Sequence, residues 1–162
     1  MSRSSFVSFH YKNDYWRVQQ ILRMGSIEGQ EVLSAQNWES VKAKGDKAVQ
    51  DWIDKEMAYK GAVVVLIGSG TSSRKFVKYE IQKAWASKKP LVGIRIHGLK
   101  NNDQQTSVAG TNPFSQFGFA DSAKTYADYV PVYTPSGSDS TQVYANIKAN
   151  IETWIASGYK TP

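Results

Sequence analysis

One acidic residue stands out in the chain because it follows a buried strand and a Gly/Ser-rich turn. The run Ala62–Ile67 is continuously apolar, which is typical of a parallel-sheet strand covered on both faces. Residues 68–73 (GSGTSS) form the turn and lead into a helix that carries Glu80. Small-molecule sites in such folds lie where the strands end. The arrangement therefore predicts a nucleotide site with one carboxylate.

Helical periodicity leaves two interpretations of this glutamate open. Val77 and Ile81 belong to an apolar stripe, and Glu80 falls at the edge of that stripe. A boundary glutamate that pairs with Lys83 or Arg74 is the more common outcome on the residues alone, because exposed ion pairs are frequent on helices. A catalytic carboxylate is the alternative.

Polar and aromatic residues follow the predicted strands. His10 and Tyr11 follow the first strand, Trp38 the second, Ser69 the third and His97 the fourth. Two histidines without nearby acidic ligands make a poor metal site, so no metal centre is expected. The shared sheet edge instead predicts a polar crevice whose aromatic rings are available to stack a base or a pyridine ring.

Several familiar kinds of site are missing from the sequence. The turn at residues 68–73 lacks the lysine of a GxxxxGK[ST] phosphate loop, and no GxGxxG fingerprint follows the first strand. The strand ends also lack the aspartates of a phospho-receiver. A cysteine nucleophile and a GxSxG elbow are absent. These absences exclude nucleotide triphosphatases, dehydrogenases and the common hydrolases.

Composition predicts one domain over residues 1–162, located in the cytoplasm. A chain of this length buries a core without metals or disulfides, and the sequence has no cysteine. It also has no signal-peptide core and no apolar run long enough for a membrane span. The net charge is +6, but the lysines are dispersed among acidic residues. We therefore expect neither nucleic-acid nor membrane binding, whereas a phosphorylated small molecule remains compatible.

The predicted elements alternate between strands and helices. Strands are expected at residues 5–9, 31–35, 62–67, 91–96 and 129–133, with helices at 14–24, 46–59, 74–87 and 140–155. Asp14 is the expected N-cap of the first helix, and Pro131 favours an edge position for the last strand. The pattern predicts an α/β fold with a flavodoxin-like, doubly wound, mainly parallel five-stranded sheet and helices on both faces.

Three segments resemble the TIR-like proteins of bacterial Thoeris antiphage defence, of the ThsB type. They are SFVSFHYKNDYWRVQQI, VVVLIGSGTSSRKFVKYEIQKAW and PLVGIRIHGL, and the resemblance spans about residues 5 to 120. It implies a flavodoxin-like TIR fold and an enzyme that consumes NAD as a substrate, without a resident cofactor. The implied products are nicotinamide and an ADP-ribose-derived signal, expected to be cyclic, which activates a separate effector protein. Self-assembly into a homo-oligomer and a phage-derived trigger are also implied.

The resemblance assigns roles to individual residues. Glu80 stands at the position of the catalytic glutamate, and Phe76 stands where the family commonly has tryptophan. The aromatic segment after the first strand borders the nucleotide pocket in this family. With the strand ends and the start of the glutamate-bearing helix, the expected substrate-binding residues are Phe6, Phe9, His10, Tyr11, Trp38, Ser69 and Arg74.

A solitary carboxylate suits this chemistry. The nicotinamide of NAD is already a cationic leaving group, so a carboxylate that stabilises the developing ribosyl cation is sufficient. Backbone amides of residues 68–73 could hold the diphosphate at a helix N-terminus. A pocket that excludes water would favour a cyclic or conjugated product over ADP-ribose. A non-catalytic TIR-like module for self-assembly or receptor interaction is the alternative function.

Overall fold

A parallel five-stranded sheet forms the centre of the computed structural model, which describes residues 3–28 and 35–162. The sheet order is β2-β1-β3-β4-β7, and all four pairings are parallel. A separate antiparallel pair is formed by β5 and β6. The strand bounds are β1 (Arg3–Ser8), β2 (Ile27–Glu28), β3 (Ala62–Ile67), β4 (Leu91–Arg95), β5 (Gly118–Phe119), β6 (Ser122–Thr125) and β7 (Val132–Tyr133).

The strand order reverses direction between β1 and β3. The chain proceeds outward from β1 to β2, and then returns to the other side of β1 to place β3, β4 and β7. This is the flavodoxin-like order, whose ligand sites lie at the carboxyl ends of the strands beside the reversal. The register sets Ser8, the last residue of β1, opposite Val65 of β3. The end of β1 is therefore the place where the fold predicts a site.

Helices cover both faces of this sheet, which leaves every residue of β3 buried. Helices α1 (Tyr11–Leu22) and α5 (Ser140–Ala156) pack on one face, while α3 (Asp46–Ala58) and α4 (Lys75–Ala86) pack on the other. The short helix α2 (Ala35–Ala43) packs against α3. None of the helices in the described ranges is long and apolar enough to cross a bilayer. The predicted α/β, doubly wound fold is confirmed.

The prediction that Asp14 caps the first helix is wrong. The helix begins at Tyr11, with His10 at the N-cap position, so Asp14 lies inside the first turn. Asp14 is fully buried, and its Oδ1 accepts a hydrogen bond of 2.7 Å from the Arg17 guanidinium. The buried partner, which the capping pattern does not reveal, offsets the burial of the carboxylate.

The second predicted strand differs from the structure. A strand is found earlier, at Ile27–Glu28, and residues 31–34 lie outside the described part of the chain. Residue 35 begins α2, a fifth helix that the periodicity did not separate from its surroundings. Trp38 therefore lies within a helix and does not follow a strand. Its ring packs in the core cluster that includes residues of α3 and α4.

The long segment after β4 contains more structure than its composition suggests. It includes a 3-10 turn at Pro113–Gln116, whose Phe114 is fully buried, and the β5/β6 pair. The last strand, β7, is short and pairs with β4 at the edge of the sheet. The edge position predicted from Pro131 is confirmed.

Candidate functional site

The carboxyl of Glu80 lies at the predicted edge of the sheet. Helix α4 places it against the end of β1, where the Ser8 hydroxyl donates a hydrogen bond of 2.6 Å to Oε1. Both side chains are buried, and Glu80 is only 6% exposed. The apolar stripe of α4 faces the sheet, so a residue at the edge of that stripe reaches the strand end without entering the centre of the core.

Burial raises the pKa of Glu80 to about 8, and the hydrogen bond from Ser8 opposes that rise. Of the two interpretations of this glutamate, the exposed one that pairs it with Lys83 or Arg74 is wrong. Lys83 Nζ lies 3.8 Å from Asp54 Oδ1 instead, and Arg74 precedes the first turn of α4. Because the carboxyl is buried and its described partner is a neutral hydroxyl, desolvation dominates its titration.

A cavity of about 310 Å³ is lined by residues that flank Glu80 on α4 and Ser8 on β1. Val77, one helical turn before Glu80, forms part of its wall, as does Phe9, the residue after Ser8. Glu80 itself is not among the lining residues. The cavity is lined by Phe9, His10, Tyr11, Lys12, Trp38, Glu39, Lys42, Asp46, Arg74, Lys75, Phe76 and Val77.

The charged lining of the cavity favours an anion. Four cationic side chains face two carboxylates, which leaves an excess of two positive charges. Lys75 lies 2.7 Å from Asp46, and Lys42 lies 3.7 Å from Glu39. His10 adds no charge near neutral pH, because burial and the nearby Arg74 lower its pKa. A diphosphate is of the right charge for this lining.

Aromatic rings in the cavity wall stack on one another. The ring of Tyr11 lies 4.3 Å from that of Phe9 and 4.4 Å from that of Trp38, both stacked. Phe76 meets Trp38 edge-on at 6.1 Å. Two stacked neighbours occupy both faces of the Tyr11 ring, since they cannot share one face. A base or pyridine ring that stacks on Tyr11 must therefore displace one of them.

Gly68, the first residue of the turn after β3, has no room for a side chain. A Cβ atom added to Gly68 would collide with the carboxylate of Asp14, and one added to Gly110 would collide with the Gly68 carbonyl. The Gly68 amide donates to Thr71 Oγ1 at 2.7 Å, so this amide is used within the turn. Helix α4 starts at Lys75 without a side-chain hydrogen bond at its cap, close to the cavity.

The structure gathers most of the expected substrate-binding residues around one cavity. Five of the seven line it, namely Phe9, His10, Tyr11, Trp38 and Arg74. The other two are elsewhere. Phe6 is fully buried in the core, with its ring 6.3 Å from that of Trp52, and Ser69 is exposed on the turn outside the lining.

The histidines share a sheet edge but not a cavity. His97 follows β4, and burial lowers its pKa with help from the nearby Arg95 and Arg17. It is not among the residues that line the cavity. Within residues 3–28 and 35–162, no three histidine or acidic side chains are grouped as a metal site would require.

Several residues of the site were missed by sequence reasoning. The contact between Ser8 and Glu80 joins positions 72 residues apart, so no local pattern reports it. One signal was available: Ser8 is a small polar residue inside a strand whose neighbours are apolar. The dispersed lysines of the sequence predict ordinary solvated positions, whereas those of the lining cluster only because α1, α2 and α4 meet at the cavity.

Comparison with known proteins places this geometry in a family. The model of the family described as "Thoeris protein ThsB, TIR-like domain" matches residues 6–101, which include the end of β1 and the whole of β3, α4 and β4. A protein of Bacillus cereus (strain MSX-D12) named "Putative cyclic ADP-D-ribose synthase ThsB1" is 29% identical over 130 residues. The alignment covers 74% of this chain and 65% of that protein, so the chain spans just under two thirds of its relative. Since the family model matches more than half of the chain, the chain belongs to the Thoeris ThsB family of TIR-like proteins.

Proposed function

We propose that this chain cleaves NAD, releasing nicotinamide and forming an ADP-ribose-derived signal. The observation that carries the proposal is the position of the Glu80 carboxyl. It is buried at the reversal point of the sheet, beside a cavity lined by aromatic rings and an excess of cationic groups. The name of the relative, a cyclic ADP-D-ribose synthase, supports the same reaction class.

The chemistry asks little of the protein besides positioning and electrostatics. When the bond between the ribosyl carbon and the pyridinium nitrogen breaks, its electron pair neutralises the pyridinium ring. Positive charge then develops on the ribosyl group, and the Glu80 carboxylate stabilises that charge. Arg74 and Lys12, which line the cavity, are placed to hold the diphosphate. An internal nucleophile of the ADP-ribosyl group captures the cation where water is excluded, and a cyclic product results.

Glu80 must become accessible for this reaction. Its carboxyl does not line the cavity, whose wall includes Val77 and Phe9, and Phe9 belongs to the stack with Tyr11 and Trp38. A substrate ring inserted between two stacked rings needs a separation of roughly 7 Å, twice a van der Waals contact, against the present 4.4 Å between Tyr11 and Trp38. The proposal therefore includes displacement of this stack by the nicotinamide or adenine ring.

The remaining parts of the proposed function follow from the family. The product would activate a separate effector protein, and a phage-derived trigger or assembly of several copies would switch the enzyme on. NAD is then the substrate and not a resident cofactor.

The test compares three proteins: the wild type, Glu80→Gln and Glu152→Gln. Glu152 is an exposed glutamate of α5, so its variant controls for the same chemical change away from the site. Each protein is incubated with NAD in extracts of phage-infected and uninfected cells, and mass spectrometry measures nicotinamide and ADP-ribose products. We expect the wild type and Glu152→Gln to release nicotinamide in infected extract, and Glu80→Gln to lose about 100-fold or more.

Two results would overturn the proposal. One is nicotinamide release by Glu80→Gln at the wild-type rate. The other is a lack of NAD turnover by all three proteins in infected extract, which would favour the non-catalytic assembly module. That alternative predicts an exposed, ion-paired Glu80, whereas the side chain is buried and hydrogen-bonded to Ser8. A product lighter than ADP-ribose by one water would identify the cyclic form.

A further inference from the structure

The hydroxyl of Ser8 is hydrogen-bonded to the Glu80 carboxyl and fixes its position. Its hydroxyl donates to Oε1 at 2.6 Å, a short distance for a bond of this type. Ser8 is fully buried at the end of β1, and the parallel ladder pairs it with Val65 of β3. The donor is therefore held by two strands of the sheet, while the acceptor is carried by a helix that packs on the sheet.

A hydroxyl at this position has an energetic reason to point at the carboxyl. A buried hydroxyl without a hydrogen-bond partner destabilises the fold, and so does a buried carboxyl oxygen without one. The contact removes both penalties at once. It also favours the charged form of the carboxyl, because a donated hydrogen bond stabilises the carboxylate more than the neutral acid.

We propose that Ser8 is the positioning residue for the Glu80 carboxyl, holding it in one orientation at the end of β1. This inference rests on the proposed function, in which Glu80 faces the ribosyl cation. Ser8 acts through the glutamate and need not touch the substrate. Loss of the Ser8 hydroxyl leaves the carboxyl buried without the hydrogen bond that lowers its pKa. Desolvation then raises the pKa of Glu80 further.

The kinetic test uses Ser8→Ala with two companion variants. Ser8→Thr keeps the hydroxyl, and Ser5→Ala makes the same change at another fully buried serine of β1. For Ser8→Ala we expect kcat at pH 7 to fall about tenfold, with KM within about twofold, because the carboxylate is needed in the transition state. The acid limb of its pH profile should move up by about one pH unit. Ser8→Thr and Ser5→Ala should both show the pH profile of the wild type.

A second measurement does not depend on NAD turnover. The side-chain carboxyl carbon of Glu80 is followed by ¹³C NMR as pH is varied, with its signal assigned by its loss in Glu80→Gln. Ser8→Ala should raise the midpoint of this titration by about one unit relative to Ser5→Ala. Ser8→Cys, which fills similar space with a weak donor, should shift it in the same direction and serves where Ser8→Ala does not fold.

The two measurements separate this inference from the proposed function. If the wild type does not cleave NAD but Ser8→Ala shifts the Glu80 midpoint, the proposed function fails and the coupling of Ser8 to Glu80 stands. If the midpoint in Ser8→Ala and Ser8→Cys equals that in Ser5→Ala, the positioning role is wrong. An unchanged pH profile in Ser8→Ala, with kcat lowered equally at every pH, would also contradict it.

Discussion

At the scale of the residue, Glu80 combines a raised pKa with a proposed role as an anion. A pKa of about 8 leaves the carboxyl largely neutral at pH 7. A cationic pyridinium beside it would reverse that balance, because a nearby opposite charge favours the carboxylate. The buried glutamate would therefore ionise only when the right ligand is present.

This reasoning predicts that binding of a cationic nicotinamide releases a proton. We expect a non-cleavable carbocyclic analogue of NAD to release close to one proton per site at pH 7, and its reduced, uncharged-ring form to release much less. Calorimetric titrations in buffers of different ionisation enthalpy measure the number of protons released per binding site. Glu80→Gln is the control, since it has no carboxyl to titrate. Equal proton release by both forms of the analogue would show that Glu80 does not sense the ring charge.

The same pKa makes a prediction about stability. The pKa of Glu80 is raised in the folded protein to about 8 from an ordinary value of 4.5, so the folded state takes up a proton between these values. The contribution of this group to the free energy of unfolding is complete below about pH 4.5 and is lost as pH rises towards 8. The stability of Glu80→Gln relative to the wild type should therefore grow by up to about 1.4 kcal/mol per pH unit across this window.

Urea denaturation of both proteins at several values between pH 5 and pH 8 tests this expectation. Glu152→Gln, the exposed control, should change the free energy of unfolding by no more than about 0.5 kcal/mol. If the stability difference between Glu80→Gln and the wild type stays constant from pH 5 to pH 8, the carboxyl is exposed to solvent and its pKa is not raised.

At the scale of the elements, a buried ion pair connects α1 to the segment after β4. Arg17 is 1% exposed and Asp14 is fully buried, with 2.7 Å between Nη1 and Oδ1. The same guanidinium donates to the Leu99 carbonyl at 2.8 Å and to the Gln105 carbonyl at 2.9 Å. Asp14 in turn packs against Gly68. One side-chain pair thus holds three segments near the strand ends.

We expect Arg17→Ala to lose about 3 to 5 kcal/mol of folding free energy, because it leaves the Asp14 carboxylate buried and uncompensated. Lys47→Ala is the matched control. The Lys47 to Asp51 pair has a similar distance, 2.6 Å, but is exposed, so its loss should cost less than about 1 kcal/mol. Urea denaturation measures both, and hydrogen exchange at residues 99–107 should increase in Arg17→Ala. Equal costs for the two variants would show that burial does not matter here.

These elements also show which parts of the fold a sequence can predict. The strand Ala62–Ile67 and the helix Asp46–Ala58 follow from periodicity, because their environment is uniform along their length. Asp14 was misassigned since its true partner, Arg17, is buried by contacts with residues more than 80 positions away. The strand Ile27–Glu28 has only two residues, too few for any periodicity to appear.

At the scale of the whole molecule, the topology brings the site together. Glu80 could be singled out from the sequence because strand, turn and helix are consecutive, and the resemblance added its role. The lysines of the cavity could not, because they come from α1, α2 and the start of α4. The resemblance implied that Phe6 borders the pocket, but Phe6 lies inside β1 and its ring is buried in the core cluster of the α3 and α4 face.

The net charge of +6 is distributed over the chain, so its effect on an anionic ligand must be separated from that of the cavity. Arg74→Gln removes one charge from the cavity lining, and Lys148→Gln removes one from an exposed position on α5 outside that lining. We expect Arg74→Gln to weaken binding of the carbocyclic NAD analogue about tenfold, the value of one charge-assisted hydrogen bond. Lys148→Gln should change it less than about twofold, since salt screens a distant charge.

Titrations of the analogue at low and physiological salt distinguish a local contact of Arg74 from a general effect of the net charge. A local contact to the diphosphate predicts that Arg74→Gln keeps most of its defect as salt is raised, whereas Lys148→Gln binds like the wild type at both salt concentrations. If the net charge of the whole protein attracts the ligand, both variants should bind the analogue equally weakly at low salt. Their difference in affinity from the wild type should then vanish at physiological salt. The second pattern would remove Arg74 from the substrate site and leave the cavity's charge as a property of the whole surface.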